Sequence, residues 1–425
     1  MQLSSHNIAT IKNAFDALGG GIDVVDIELE PSPNMLSELA EWTMEPLMYV
    51  STPSQSTQYV GLGKWDTLTN NDAAQFLMQP GSDKIYLFGG NSFNEAIESK
   101  QLASELWIVP VAMIIQTEDQ CSLRVVLDKR QEDNNWDNIL MGLNAINTPA
   151  TKESNAPPAY VTYKHFPTKD AWTMNVKDIK DKIAANELKK VVLARETSVQ
   201  FSDELNPFLM VKHIQDNDPQ LYHFVCRFSQ DLTFIGGTPE RLFQINDNQL
   251  ESDAIAGTIK KEAYTPAFIR QKKEHDEHQF VADFILNVFK SMCKEMSVSP
   301  PDILELKHLC HLIQGFKGTL KDDVKPMDVL NALHPTPAVA GTPTDQALNI
   351  IQKHEPFSRE WYAGPVGVLS NNESLVVVAI RSGIVKQRNV TLYAGAGIID
   401  ASDPDSEWEE LNAKIGGFTD VFGPK

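Results

Sequence analysis

Four carboxylates fall within six positions near the end of the chain, in the stretch PDSEWEELNAK. They are Asp405, Glu407, Glu409 and Glu410, and Lys414 follows four residues after the last of them. On a helix, positions 407, 410 and 414 share one face. That face is either a solvated charged surface, where a Glu410–Lys414 pair adds about 0.2–0.5 kcal/mol, or one half of a metal site.

A second predicted helix, over residues 267–292, also carries carboxylates on one face. Its apolar stripe consists of Val281, Phe284, Ile285 and Val288. Stepping back four and seven residues from the first of these leads to Glu277 and Glu274, so two carboxylates head an otherwise apolar face. A buried carboxylate must be protonated, paired with a cation or bound to a metal. Two such helices suit a hard cation, and Mg²⁺ fits best because it keeps coordination sites for water and substrate.

The elements that carry these residues follow from periodicity. Helical spacing predicts helices over residues 172–188, 267–292, 326–333 and 345–354, and a last helix opened by Asp403 as N-cap and Pro404 at the first helical position. Apolar and β-branched stretches predict strands over 189–201, 221–228, 232–237, 241–245, 374–385 and 390–399, the last two as a pair. Helices and strands that occur in runs predict an α+β fold with large antiparallel or mixed sheets.

Composition and charge exclude several classes of partner. The 425 residues carry a formal net charge of −20, which argues against nucleic acid and anionic membrane surfaces. No signal peptide is predicted at the N-terminus, and the longest apolar stretch, residues 106–115, is too short to span a bilayer. Four separated cysteines predict reduced thiols in a cytoplasmic protein. A linker rich in Pro, Asn, Ser and Thr is predicted over residues 144–160.

Eight segments of the chain are informative as a set: KVVLAR, GGTPERLF, AIAGT, DEHQFV, HPTPAVAGTP, EPFSREWYAGPVG, AIRSG and LYAGAGIIDASDPDSEWEELNAK. In this order they resemble the chorismate-utilising enzymes, which include isochorismate, anthranilate, aminodeoxychorismate and salicylate synthases. The resemblance covers about Tyr160 to the C-terminus. It implies a large α+β fold with sheets packed face to face, helices outside and the active site between the sheets. It also implies one domain over 1–425, with a variable part over 1–150 and a catalytic part over 160–425.

Within this family the motifs are most similar to the isochorismate synthases of menaquinone biosynthesis. The resemblance implies a Mg²⁺-dependent, reversible isomerisation of chorismate to isochorismate, in which water adds at ring carbon C2 and the 4-hydroxyl leaves. Lys190 matches the base, which works only if the pKa of this lysine is lowered. Glu240 matches the general acid, which works near neutral pH only if the pKa of this glutamate is raised.

The same resemblance assigns the two carboxylate helices to a metal. Glu277 and Glu410 match the two glutamates that bind Mg²⁺, which would relieve the repulsion between them. Glu274 and Glu407 fit a role in holding waters or orienting that pair.

The remaining matches concern the substrate. Arg381 matches a substrate-binding arginine, whose guanidinium can hold a carboxylate with two parallel hydrogen bonds. By itself Arg381 would be a surface charge at a strand end, and His311 would be a structural histidine. Glycine in the AGAG segment would let backbone N–H groups approach an anion. The predicted substrate contacts are Gly257, Thr258, His311, Arg381, Ala394, Gly395 and Lys414.

Two positions favour water as the nucleophile. Amine-forming relatives usually carry glutamine where this chain has Lys190, and aminodeoxychorismate synthases often carry lysine where it has Ala256. We therefore expect no glutaminase subunit. Three alternatives stay open: a siderophore-pathway isochorismate synthase, a salicylate synthase, and a non-catalytic homologue that binds chorismate.

Overall fold

The computed structural model describes residues 3–19, 21–93, 101–129, 139–140 and 159–422. The linker predicted over 144–160 lies outside these ranges except for its last two residues. Within the described ranges, no helix combines the length and the apolar character needed to cross a membrane. The helices are α1 (Ser5–Ala17), α2 (Met35–Leu39), α3 (Asn70–Leu77), α4 (Lys169–Ala184), α5 (Pro207–Asn217), α6 (Lys272–Met292), α7 (Pro326–Leu333), α8 (Thr344–His354) and α9 (Pro404–Phe422).

The strands alternate with these helices only loosely. They are β1 (Ile22–Leu29), β2 (Leu47–Ser51), β3 (Thr57–Leu62), β4 (Asp66–Leu68), β5 (Leu87–Asn91), β6 (Glu105–Val109), β7 (Ala112–Thr117), β8 (Cys121–Asp128), β9 (Tyr160–Phe166), β10 (Lys190–Phe201), β11 (Tyr222–Ser229), β12 (Leu232–Thr238), β13 (Arg241–Asn246), β14 (Gln249–Lys260), β15 (Cys293–Val298), β16 (Asp302–Glu305), β17 (Leu309–Leu320), β18 (Gly341–Thr342), β19 (Pro365–Leu369), β20 (Glu373–Val378), β21 (Ser382–Lys386) and β22 (Asn389–Ile398).

The strands of the described residues form two large antiparallel sheets. The first has 12 strands in the order β1-β8-β7-β3-β2-β11-β12-β21-β22-β10-β18, with β9 also beside β10. The second has 10 strands in the order β15-β17-β14-β13-β20-β19-β5-β6-β4, with β16 beside β17. The first third of the chain contributes to both, since β2 pairs with β11 and β5 pairs with β19. The α+β fold predicted from the sequence is confirmed.

The two sheets pack face to face. Gly61 of β3 faces the ring of Phe88 of β5, and a Cβ at that glycine would lie 2.7 Å from the ring. The hydroxyls of Tyr59 and Tyr86 both donate to the carboxylate of Glu373 on β20. An apolar contact and a polar bridge thus join the sheets, and α6 and α9 lie against β14 and β22.

The predicted strand over 374–385 is wrong, because it is two strands in different sheets. β20 ends at Val378 in the second sheet, and β21 begins at Ser382 in the first. Between them, Arg381 has a φ of 48°, a left-handed conformation that costs an L-residue roughly 1–2 kcal/mol. The run stays apolar across the break because both strands are buried on both faces. The predicted pairing with 390–399 holds for β21, which pairs with β22.

Two predicted helices have different bounds. α6 begins at residue 272 and not at 267, because a 3-10 turn over Phe268–Arg270 precedes it. α4 spans Lys169–Ala184 in place of 172–188. The other helices and strands predicted from the sequence agree with the structure within one residue at each end. The predicted start of α9 is confirmed, since the Ser406 N–H donates to Asp403 Oδ2 at 2.9 Å.

Candidate active site

A cavity of about 70 Å³ lies between the two sheets, closed by α6 on one side and α9 on the other. Strands β10 and β22 of the first sheet and β14 and β17 of the second contribute to its wall. Of the residues predicted for the site, the lining includes Glu240, Gly257, Thr258, Glu277, His311, Arg381, Ala394, Gly395 and Lys414. Residues that are far apart in the sequence are therefore brought together.

Lys190 lies at the wall of this cavity, against a carboxylate that lines it. Its side chain is fully buried at the start of β10, and its Nζ lies 2.9 Å from Glu277 Oε1 on α6. Gly397 on β22 leaves room for this contact. A Cβ at Gly397 would lie 2.6 Å from Glu277 Oε1 and 3.1 Å from Lys190 Cε. The pair thus depends on a glycine of the AGAG segment.

Glu240 is a buried carboxyl group between β12, which ends at Thr238, and β13, which begins at Arg241. Its backbone N–H donates to Thr238 Oγ1 at 3.1 Å, and its carbonyl accepts the N–H of Val378 at 2.9 Å. Burial raises the pKa of Glu240 to about 8, although the positive charges of Lys190 and Lys414 act to lower it. Glu240 is therefore protonated at neutral pH and can donate a proton inside the cavity.

His311 on β17 and Arg381, which lies between β20 and β21, form a hydrogen-bonded pair in the cavity wall. Arg381 Nη2 donates to His311 Nε2 at 2.7 Å, so His311 carries its proton on Nδ1, 3.2 Å from Thr258 Oγ1. Burial, followed by the charges of Arg381 and Lys414, holds the pKa of His311 well below its usual value. Burial also lowers the pKa of Arg381 to about 10, which leaves the guanidinium charged at neutral pH. The cavity therefore contains a neutral imidazole and a cation.

Glu274 supports the same wall from α6. Its Oε2 accepts the backbone N–H of Thr258 at 3.1 Å. Gly257 has a φ of 78°, and a Cβ there would lie 3.2 Å from the Glu274 side chain. Glycine is therefore required both by the backbone conformation and by the close approach of this carboxylate.

The α9 side of the cavity is held by Lys414. Its Nζ donates to the carbonyl of Gly395 at 2.9 Å and pairs with Glu410 Oε1 at 2.6 Å. The Glu410 side chain is 22% exposed and is not part of the cavity lining, whereas Glu407 is buried. The i,i+4 ion pair suggested by the sequence thus forms, and the hydrogen bond from Lys414 to Gly395 ties α9 to β22.

The residues that could hold a cation are two carboxylates, each with a lysine partner. Among the described residues, no group of three or more His, Cys, Asp or Glu side chains is arranged to hold a metal ion. Mg²⁺ is commonly bound by only one or two carboxylates, with waters and substrate oxygens completing its coordination. Glu277 brings a carboxylate oxygen into the cavity lining, and Glu410 lies next to the lining residue Lys414. This oxygen donor set fits Mg²⁺ by its chemistry.

Two tyrosines of the lining were not predicted from the sequence. The rings of Tyr362 and Tyr393 stack at 5.4 Å between centroids. The Tyr362 hydroxyl faces Gly395, where a Cβ would lie 2.7 Å from it. Burial raises the pKa of Tyr362, so its phenol stays a hydrogen-bond donor. The motif EWYAGPVG contains this tyrosine and was the signal available for finding it.

The fold and the cavity define a class of protein. Two face-to-face antiparallel sheets enclose a small pocket that holds a protonated carboxyl group, a carboxylate paired with a buried lysine, and an arginine. Perturbed titratable groups gathered in one pocket are typical of an enzyme site for an anionic small molecule.

Comparison with known proteins identifies the family. Residues 24–423 match the family described as chorismate binding enzyme. The chain is 32% identical to isochorismate synthase MenF of Escherichia coli (strain K12), over 94% of this chain and 93% of that protein. It is 29% identical to anthranilate synthase component 1 of Geobacillus stearothermophilus, over 62% of this chain and 54% of that protein. The chain belongs to the chorismate-binding enzyme family.

A solved structure agrees with this assignment. The structure of MenF, the menaquinone-specific isochorismate synthase from Escherichia coli, matches with a TM-score of 0.87 and 28% sequence identity, over 97% of this chain and 98% of that chain. The fold is therefore shared along almost the whole length of both proteins.

Proposed function

We propose that this protein is an isochorismate synthase, a Mg²⁺-dependent isomerase that converts chorismate reversibly to isochorismate for menaquinone biosynthesis. The observation that carries the proposal is the pair of proton-transfer groups at one cavity, Glu240 inside it and Lys190 at its wall beside Glu277. The similarity to MenF proteins over most of the chain supports the reaction and the pathway.

Substrate binding is assigned to the cationic and backbone groups of the lining. Chorismate carries two carboxylates, and the cavity offers the guanidinium of Arg381 and the ammonium of Lys414. Ala394, Gly395, Gly257 and Thr258 also line the cavity, and we assign neutral substrate contacts to them. Glu277 and Glu410 would hold Mg²⁺, which supplies charge to neutralise a substrate carboxylate when it is bound.

The proton transfers are assigned to Lys190 and Glu240. The neutral amine of Lys190 takes a proton from the water that attacks C2 and becomes an ammonium beside Glu277, and the hydroxyl of that water becomes the product hydroxyl. Glu240 donates its proton to the 4-hydroxyl, which leaves as water while the ring double bonds shift. One water is consumed and one is released, so the reaction is balanced as an isomerisation. In the reverse direction the two groups exchange their roles.

Product analysis tests this function directly. The purified protein would be incubated with chorismate, with and without Mg²⁺, and the products resolved by liquid chromatography with mass detection. Isochorismate that approaches a fixed ratio to chorismate, only with Mg²⁺, is the expected result. Salicylate and pyruvate would instead identify a salicylate synthase, and Mg²⁺-dependent binding without turnover would identify a non-catalytic homologue.

Glu410→Ala is expected to weaken Mg²⁺ binding by about 100-fold or more, since loss of a metal ligand exceeds the effect of losing a ligand's hydrogen-bond partner. Titration calorimetry with Mg²⁺ measures the affinity, and the Mg²⁺ dependence of turnover follows it. Glu409→Ala is the matched control, because Glu409 is exposed on the same helix. An unchanged Mg²⁺ affinity in Glu410→Ala would move the metal site elsewhere.

Gly397→Ala is expected to lower kcat by at least about tenfold with little change in thermal stability. The new methyl group would displace the flexible carboxylate of Glu277 and crowd the Lys190 side chain, and small displacements of catalytic groups have large kinetic effects. Gly416→Ala is the control, because a Cβ there meets nothing within 4 Å. A wild-type kcat for Gly397→Ala would show that the Lys190–Glu277 contact is not needed in turnover.

We further propose that residues 1–425 fold as one domain. Strands β1 to β8, which come from the first third of the chain, continue both sheets that carry the catalytic part. Neither sheet is complete without them, so a catalytic fragment starting at residue 160 is expected to be insoluble.

A further inference from the structure

One edge of β10 has a gap directly after Lys190. β18 pairs with β10 at Lys190 and Val191, and β9 pairs with it from Glu196 onward. Between these partners no strand of the described residues covers that edge. In antiparallel pairing the N–H and C=O of alternate residues point to the same edge, here those of Val192 and Ala194. Buried backbone groups of this kind need partners.

Two charged side chains fill this gap. Glu355 Oε1 accepts the N–H of Ala194 at 2.6 Å, and Arg359 Nη2 donates to the carbonyl of Val192 at 2.7 Å. The N–H of Val192 donates to the carbonyl of Ala340 at 2.8 Å. The edge of β10 is thus completed by two side chains and one loop carbonyl in place of a strand.

The two side chains also hold each other. Arg359 Nη2 donates to Glu355 Oε1 at 2.6 Å, and Arg359 Nε donates to Glu355 Oε2 at 2.7 Å. Arg359 Nη1 donates to the carbonyl of Val339 at 2.9 Å. Glu355 and Arg359 are 5% and 2% exposed. A buried ion pair is poor evidence for stability, because apolar residues of similar volume often stabilise as well.

The contacts of this pair converge on the candidate active site. Val192 and Val339 both line the cavity, and Val192 lies two residues after Lys190 on the same strand. The Arg359 guanidinium lies 5.9 Å from the ring centroid of Tyr362, another lining residue. The pair thus fixes three segments of the wall through backbone atoms and ring packing.

We propose that Glu355 and Arg359 are positioning residues, which stand in for a missing strand and hold the beginning of β10 where Lys190 meets the cavity. The kinetic part of this inference rests on the proposed function. The structural part, completion of the β10 edge, does not depend on it.

Arg359→Lys is the test variant, because lysine keeps the charge but cannot bridge two carbonyls and a carboxylate in one plane. Arg227→Lys is the matched control. Arg227 also donates to two backbone carbonyls, those of Trp42 and Met44, and lies over an aromatic ring, but it is not part of the cavity lining. Both variants would be compared with wild type for kcat, KM and deuterium uptake of residues 190–195.

The expected result is a kcat lowered by about 100-fold in Arg359→Lys, with KM within about threefold of wild type, since displacement of a catalytic group acts on kcat. Deuterium uptake over 190–195 should rise, and Arg227→Lys should match wild type in both. Equal kcat in the two variants would overturn the positioning role. If wild type does not convert chorismate, the proposed function fails, and unchanged deuterium uptake in Arg359→Lys would then overturn this inference separately.

Glu355→Gln is a second test variant, which keeps the proposal testable if Arg359→Lys does not fold. Its amide oxygen can still accept the Ala194 N–H, but it no longer pairs as an anion with Arg359. The same fall in kcat at a nearly unchanged KM is expected. If both Glu355→Gln and Arg359→Lys failed to fold while Arg227→Lys folded, the pair would be a requirement of the fold and the positioning role would be refuted.

Discussion

Replacing Lys190 by alanine is expected to lower isochorismate formation by about 10²–10⁴-fold, the range typical for loss of a general acid or base. The Lys190 side chain is fully buried, and its amine lies 2.9 Å from Glu277 Oε1 at the cavity wall. Truncation removes the amine to which we assign proton abstraction from water. The measurement is the initial rate with saturating chorismate and Mg²⁺, followed by liquid chromatography.

Lys189→Ala is the control for this variant. Lys189 immediately precedes Lys190 and is exposed, so both variants lose one lysine and one positive charge at the same strand end. Only Lys190→Ala loses the buried amine. A wild-type rate in Lys190→Ala, with an unchanged circular dichroism spectrum, would remove Lys190 as the base.

The helices that frame the site could be predicted because their signals are local. The cap at Asp403 and the placement of Glu274 and Glu277 above an apolar stripe follow from spacing of three and four residues. The sequence could not reveal that Glu277 meets Lys190 and that Gly397 makes room for them. That contact joins α6, β10 and β22, which are brought together only by the packing of the two sheets.

The chain passes from one sheet to the other at Arg381, and this crossing shows a second limit of prediction from the sequence. Residues 374–385 are apolar on both sides of this arginine, because β20 and β21 are both buried. Periodicity therefore predicts one strand. The left-handed φ of Arg381 turns the chain into the other sheet and places the guanidinium beside His311. The arginine was predicted as a substrate contact, but the backbone that presents it was not.

The first third of the chain gave no motif, although it supplies central strands. β2 and β3 lie between β7 and β11 in the first sheet. Their side chains are almost entirely buried, so their composition reflects core packing and carries no catalytic pattern. Packing needs can be met by many apolar residues, and this explains why such strands are hard to assign from one sequence.

Glu240→Gln is expected to lower kcat by about 10²–10⁴-fold, because the amide cannot donate a proton to the departing 4-hydroxyl. Glutamine has nearly the same size and can keep the neighbouring contacts, so the thermal unfolding temperature should change little. Gln244→Glu is the control variant. Gln244 lies on the adjacent β13, and the substitution adds a carboxyl group outside the cavity lining. Normal turnover in Glu240→Gln would refute the acid assignment.

The pH dependence gives the same assignment a second test. The pKa of Glu240 is raised by burial from its ordinary 4.5 to about 8, so the acid is protonated below about pH 8 and kcat/KM should fall as the pH rises beyond it. The residual activity of Glu240→Gln should lack this fall. The contribution of Glu240 to the free energy of unfolding is complete below about pH 4.5 and declines as the pH rises to about 8. Glu240→Gln should therefore lose less stability than wild type over this interval, since its amide does not ionise.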